Sequence, residues 1–175
     1  MPLGMDKSHD VYNDYTPNLV VPPYIYYPPT PDNPLLYTNV NISNNTSPQN
    51  EPSIKISHKN PNRVVAGWRD FRIGYNPAVR RVGYSYSTNG GTTWATSMLL
   101  DSTLLGGGLL RNSDACVTVD TAGNFYITTI ALNNTNNNTT LAIYKSTDGG
   151  MTFPTAQTLA QGSSEDKEMV TTDLS

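Results

Sequence analysis

The residues with the greatest capacity for chemistry are crowded into Trp68–Pro77, which reads WRDFRIGYNP. Arg69 and Arg72 flank Asp70, and Tyr75 follows three residues after Arg72. A guanidinium presents a rigid fork of N–H donors that matches a carboxylate. Two arginines on one loop are therefore candidates for contacting an anionic ligand, and Tyr75 can add a hydroxyl. Asp70 has two readings, a partner that holds Arg72 by an ion pair or a group within a site. A second Arg–Asp set, Arg111 and Asp114, lies further on. Other chemistries have little to work with. Cys116 is alone, which excludes an intrachain disulfide and a cysteine-based zinc site. His9 and His58 are too far apart for metal-ligand spacing. There is no Gly-x-Ser-x-Gly and no Ser/His/Asp set. The run Leu104–Leu110, LLGGGLL, lacks the Lys and Ser/Thr of a phosphate-binding loop and reads as an apolar connector. No metal or other cofactor is expected.

The elements that position these residues follow from composition and pattern. The chain has 175 residues, 19.1 kDa, with only 14% charged residues, a net charge of −3 and a pI near 5.2. That balance argues against a nucleic-acid or membrane-surface binder, and no apolar run is long enough for a transmembrane helix. Residues 1–50 hold nine of the thirteen prolines and six of the eleven tyrosines. Val20–Pro34, VVPPYIYYPPTPDNP, can be neither helix nor central strand, because each proline removes a donor and restricts its predecessor. Residues 1–50 are thus expected to form an extended arm or linker, whose tyrosines could pack on a partner or on the body of the domain. From Glu51 the pattern becomes short alternating strands: Ser53–Ser57, Arg63–Trp68, Arg81–Ser87 and Thr93–Leu100, then Ala115–Val119, Phe125–Leu132, Leu141–Ser146 and Thr155–Ala160, with a third round opening at Glu168–Thr172.

An internal repeat organises these strands. Ser87–Trp94, STNGGTTW, aligns with Ser146–Phe153, STDGGMTF, at an offset of 59 residues. Upstream, Ile54, Val117 and Val170 begin similar alternating runs at offsets of 63 and 53. Four strands at this period are the pattern of a β-propeller blade, whose sheet must stack on neighbours to bury both faces. The eight-residue pattern resembles the Asp-box, or BNR repeat, Ser-x-Asp-x-Gly-x-Thr-Trp, of sialidases and sialidase-like extracellular propellers. The resemblance spans Glu51–Ser175. It departs from the family at Asn89, where Asp is usual, and at Phe153, where Trp is usual.

The resemblance implies an all-β fold, an incomplete β-propeller in residues 51–175. Blade 51–112 and blade 113–165 would be followed by the start of another at 166–175, after the arm at 1–50. It implies that Ser87, Asn89, Gly91 and Trp94, with Ser146, Asp148, Gly150 and Phe153, are structural turn devices on the face opposite the functional one. The functional loops would then be Arg69–Arg80, Asp101–Asp114, Asn133–Thr140 and Gln161–Asp166. Phe71-Arg72-Ile73-Gly74 resembles the sialidase Phe/Tyr-Arg-Ile-Pro motif, with Gly74 in place of Pro. On that resemblance Arg72 would be a catalytic arginine and Asp70 a proton donor, but no Glu–Tyr nucleophile pair is identifiable. Arg69, Arg72, Tyr75 and Arg111 are the ligand-binding candidates.

The expected function is a non-catalytic glycan- or protein-binding or structural module, extracellular or at a cell surface, although no signal peptide is visible at the start. The alternatives are the N-terminal part of an exo-sialidase-type glycoside hydrolase, and a self-assembling surface or adhesion component. Expected partners are a glycan or protein at the functional loops, and further blades or other copies of the chain. Neither nucleic acid nor membrane insertion is expected.

Overall fold

The computed structural model describes residues 40–74, 80–133, 139–161, 166 and 168–173. The stretch 1–39, most of the expected arm, and Tyr75 lie outside these residues. Among the described residues eight strands follow one another as two antiparallel meanders. The first sheet has the order β1 (Gln49–Ile56), β2 (Val64–Asp70), β3 (Arg81–Ser87) and β4 (Met98–Leu99). The second has β5 (Leu109–Val119), β6 (Phe125–Asn133), β7 (Thr139–Ser146) and β8 (Thr155–Gln161). The fold is all-β, as the alternation and turn signals predict; its only short helix among the described residues is a single 3-10 turn at Ser102–Leu105.

One face of each sheet is buried against the other. Val65, Val82, Tyr84 and Leu100 from the first sheet meet Val117, Val119, Phe125, Ile127, Tyr144 and Phe153 from the second. Tyr84 and Phe153 pack edge to face with ring centroids 5.0 Å apart, the arrangement the ring quadrupoles favour. Strand β5 runs against β1 and β2. The Val117 N–H donates to Ser53 Oγ at 2.9 Å, joining the two inner strands directly. The far side of β5 repeats that kind of contact with the chain that follows β8. There Thr172 Oγ1 donates to the Val119 carbonyl at 2.6 Å and lies 3.3 Å from Thr118 Oγ1.

The two repeated turns share one hydrogen-bond plan. In each, the glycine N–H, of Gly91 or Gly150, donates to the leading serine Oγ at 2.9 Å. That hydroxyl donates to the side chain two residues on, Ser87 to Asn89 Oδ1 at 2.9 Å and Ser146 to Asp148 Oδ1 at 2.7 Å. The same oxygen accepts the main-chain N–H of the following threonine, Thr93 at 2.9 Å and Thr152 at 3.0 Å. Gly150 has φ +89°, and a Cβ there would collide with Val65 of the other sheet, so this turn is also part of the inter-sheet contact.

Some boundaries differ from the pattern. The fourth strand, expected over Thr93–Leu100, shrinks to Met98–Leu99. Its first residues serve the turn instead: Trp94 Nε1 donates to the Gly91 carbonyl, and the Ala95 N–H to the Tyr86 carbonyl. Conversely β5 begins at Leu109, so Arg111 and Asp114 sit in a strand rather than in the expected loop Asp101–Asp114. Pairing with β6 continues past the apolar run because bulges at Leu109/Arg111 and Ser113/Cys116 absorb the irregular register. Residues 168–173 lie beside β5 without strand pairing.

Candidate functional site

The strand ends away from the two repeated turns carry Arg69, Asp70, Arg111 and Asp114. Asp70 closes β2 and is 1% exposed. Trp68 Nε1 donates to its Oδ2 at 2.7 Å, as does Arg72 Nη2 at 2.7 Å. Oδ1 accepts Arg72 Nε at 2.9 Å and the Arg72 main-chain N–H at 2.8 Å. The pair is a bidentate fork with both carboxylate oxygens filled. The rest of the guanidinium is taken by Ser97: Nη1 donates to its carbonyl at 3.0 Å and Nη2 to its Oγ at 2.9 Å. Ser97 Oγ in turn donates to the Ser43 carbonyl at 2.6 Å. Gly83, on the neighbouring strand, leaves the space; a Cβ there would lie 2.6 Å from Asp70 Oδ2 and from Trp68 Nε1. Burial works to raise the Asp70 pKa, but the bonds from Arg72 and Trp68 outweigh it and hold the carboxyl below its ordinary value.

Arg69 points to the opposite face of β2 and bridges the sheets. It is ion-paired with Glu51 of β1, and its Nε is 3.2 Å from Asp114 Oδ1 of β5. Its guanidinium also stands 6.0 Å from the centroid of the Phe71 ring. Both acids occupy the left-handed region, Glu51 at φ +53° and Asp114 at φ +58°, each within a bulge of its strand. The bulges are what aim two carboxylates from different sheets at one guanidinium. Beside this triad lies a cleft of about 280 Å³, lined by Ser53, Cys116 and Glu168 among others.

Arg111 is buried in β5, and its Nη2 donates to the Asn133 carbonyl at 2.7 Å. Next to it Asn112, fully enclosed, ties the sheets together. Its Oδ1 accepts the Val82 N–H at 2.6 Å, and its own N–H reaches the Arg80 carbonyl at 3.4 Å. Its Nδ2 donates to Tyr144 Oη at 3.4 Å, and that hydroxyl donates to the Asp101 carbonyl at 3.2 Å.

The sequence-expected residues thus fall into separate sets: Asp70 with Arg72, Arg69 with Asp114, and Arg111 on the edge of β6. Pattern reading missed Glu51, Ser97, Asn112 and the Arg80–Arg81 doublet. The doublet was visible as two adjacent cations opening a strand; the other three depend on long-range pairing that no local pattern encodes. Among the described residues no group of three or more His, Cys, Asp or Glu is placed to hold a metal ion, and no helix is long and apolar enough to cross a membrane. No protein-family model matches the chain, and no curated protein matches it.

Proposed function

We propose that this chain is a segment of a sialidase-like Asp-box β-propeller, acting outside the cell or at its surface as a non-catalytic binding and structural module. The observation that carries this reading is the repetition. Two four-stranded sheets stack face to face, each closes its third strand with the same Ser–Asn/Asp–Gly–Thr bond plan, and β5 contacts the following chain at Thr172 much as it contacts Ser53 on its other side. A unit that repeats both its internal turn and its inter-sheet contact is built to continue. Ile54 and Ile56 on one outer surface and Leu159 on the other are more than half exposed, as surfaces awaiting a neighbour are.

Ligands, glycan or protein, would be met at the end carrying Arg69 and Arg111. The Asp70–Arg72 set supports positioning rather than catalysis. A general acid must keep its proton at working pH and reach the substrate. Asp70 is enclosed, held ionised and saturated with donors.

A fluorogenic sialoside assay on the full chain tests the non-catalytic part. No turnover above background is expected from the protein or from Arg72→Ala. Turnover that Arg72→Ala abolishes while the variant remains folded would overturn it in favour of the hydrolase. A glycan array tests the binding end: signal lost in Arg69→Ala supports it, and unchanged signal moves the site elsewhere.

A further inference from the structure

Asn89-Gly90 is the single Asn-Gly step in the sequence and forms the exposed tip of the first repeated turn. The pair carries a latent reaction. A main-chain nitrogen that follows asparagine can attack the side-chain carbon Cγ and close a succinimide ring. Gly90 suits that attack because it has no Cβ to obstruct it. The space beside its Cα is open: apart from the chain neighbours, a Cβ there would meet nothing nearer than the Pro61 carbonyl oxygen at 3.8 Å. The closed turn withholds both partners. The Gly90 N–H donates to the Asn62 carbonyl at 3.0 Å. The Asn89 carboxamide is held by three bonds. Its Oδ1 accepts Ser87 Oγ and the Thr93 N–H at 2.9 Å each, and its Nδ2 donates to Thr93 Oγ1 at 2.8 Å. Ser87 Oγ also accepts the main-chain N–H groups of Asn89 and Gly91. Ring closure requires the carboxamide to turn towards the Gly90 nitrogen, so these bonds must part first. Thr88, Asn89 and Gly90 are exposed, so the turn can open without unpacking the core.

We propose that Asn89 is a site of spontaneous deamidation gated by opening of its turn, and that reclosure retains the aspartate product. In the opened turn the Gly90 nitrogen bonds to Asn89 Cγ as the Cγ–Nδ2 bond breaks. Ammonia leaves, taking the proton that the Gly90 nitrogen gives up. Water then adds to the imide. Addition at Cγ breaks the new bond and gives aspartate; addition at the main-chain carbonyl gives a β-linked aspartate, whose main chain runs through Cβ. Water is the only other reactant. Asp148 shows how a closed turn holds the first product: Oδ1 accepts Ser146 Oγ and the Thr152 N–H, and Oδ2 accepts Thr152 Oγ1 at 2.6 Å. The second product lengthens the main chain between Ser87 and Gly91 and cannot match this plan. Aspartate is also the end point. Burial works to raise the Asp148 pKa, but the bonds from Thr152, Ser146 and Met151 outweigh it. The ionised carboxylate that results resists attack by a main-chain nitrogen. The conversion therefore runs one way, adds a negative charge to a chain of net charge −3, and gives the first turn the chemistry of the second.

The experiment incubates the full chain in mildly alkaline buffer, folded and in urea, and locates the amide-to-acid conversion by peptide mass spectrometry. The unfolded chain should convert at Asn89 ahead of its other asparagines. The folded chain should convert there about a hundredfold more slowly, the factor set by the fraction of open turns. Thr93→Ala removes the acceptor of Nδ2 and should speed the folded rate about fivefold. Ser87→Ala, which loses three bonds, should speed it by about tenfold or more. Circular dichroism checks that each variant keeps its strands. If Ser87→Ala unfolds, Thr93→Ala, at an exposed position, carries the test. The aspartate product should share the charge, elution and Tm of Asn89→Asp, and the β-linked product should melt lower. Equal rates in the folded and unfolded chains would overturn the gating, as would a folded rate that neither folded variant changes. Conversion at other asparagines ahead of Asn89 in urea would remove the site. A β-linked product as stable as Asn89→Asp would overturn the retention of aspartate by reclosure.

Discussion

Asn89 and Asp148 occupy the same place in two repeated turns, and the difference between them is one atom. In the first turn Asn89 Nδ2 donates to Thr93 Oγ1 at 2.8 Å; in the second Thr152 Oγ1 donates to Asp148 Oδ2 at 2.6 Å. The threonine hydroxyl rotates to suit either partner, while Oδ1 accepts the serine hydroxyl and the threonine N–H in both, with the Met151 N–H added in the second. Asn89→Asp should therefore change stability by no more than about 0.5 kcal/mol. Asp148→Ala, which strips the Ser146, Met151 and Thr152 donors of their acceptor, should cost about 2 kcal/mol. Urea unfolding of both variants measures the difference, and a large loss in Asn89→Asp would contradict the interchangeability. The buried carboxylate of Asp70 has a sharper consequence. Its folded pKa lies below the unfolded value of about 3.9. The resulting stability is fully present above that value and is lost as pH falls below about 4, through the folded pKa. Asp70→Asn leaves the Arg72 guanidinium without its anion and should cost about 3 kcal/mol at neutral pH. It should also flatten the acid limb of a Tm-against-pH curve. An unchanged acid limb would mean that other carboxylates set it.

Strands are where local pattern and long-range geometry part company. β2, β3 and β6 were legible within a residue or two because their β-prone runs are bounded by Asn-Pro-Asn, Asn-Gly-Gly and Asp-Thr-Ala-Gly-Asn and are buried along most of their length. β4 and β5 were not. The residues after Trp94 look strand-like, but the turn and the Arg72–Ser97 bonds claim them. The residues from Leu109 look loop-like because they follow three glycines and contain charge, yet β6 provides an edge on which they pair. The site divides the same way. The Asp70–Arg72 pair follows from a two-residue spacing, whereas Glu51 and Asp114 reach Arg69 only because bulges in two different sheets turn them towards it. Gly83 shows how tightly one element constrains its neighbour. Gly83→Ala would set a methyl group 2.6 Å from both Asp70 Oδ2 and Trp68 Nε1 on β2. β2 and β3 cannot move apart while their ladder is intact, so the indole–carboxylate bond must yield. The expected cost is about 2 kcal/mol, together with a changed Trp68 fluorescence; a variant that keeps both wild-type stability and emission would show that the strands separate more easily than their pairing implies.

At the scale of the whole molecule the two sheets depend on one shared layer of side chains, and that layer contains two phenols. Tyr144 is fully enclosed and Tyr84 is 6% exposed; burial pushes each pKa up to about 12. An unfolded tyrosine ionises near 10. The folded form therefore holds these protons more tightly than the unfolded chain does. The associated stability is complete below about pH 10 and is lost as pH rises towards about 12. Because Tyr144 bonds to Asn112 and to the Asp101 carbonyl, and Tyr84 packs on Phe153, a phenolate in either place has to be hydrated, which disturbs the layer that both sheets share. Alkaline unfolding should then be a single transition in which both sheets are lost together, with two of the eleven tyrosines ionising in step with the loss of strand signal. Circular dichroism and phenolate absorbance followed from pH 9 to 12, about the span between the two values, make the comparison. Tyr144→Phe should move the alkaline midpoint upward even though it costs about 1 kcal/mol at neutral pH through the lost hydroxyl bonds. Ionisation of every tyrosine before any strand signal is lost would mean that water reaches the layer without separating the sheets.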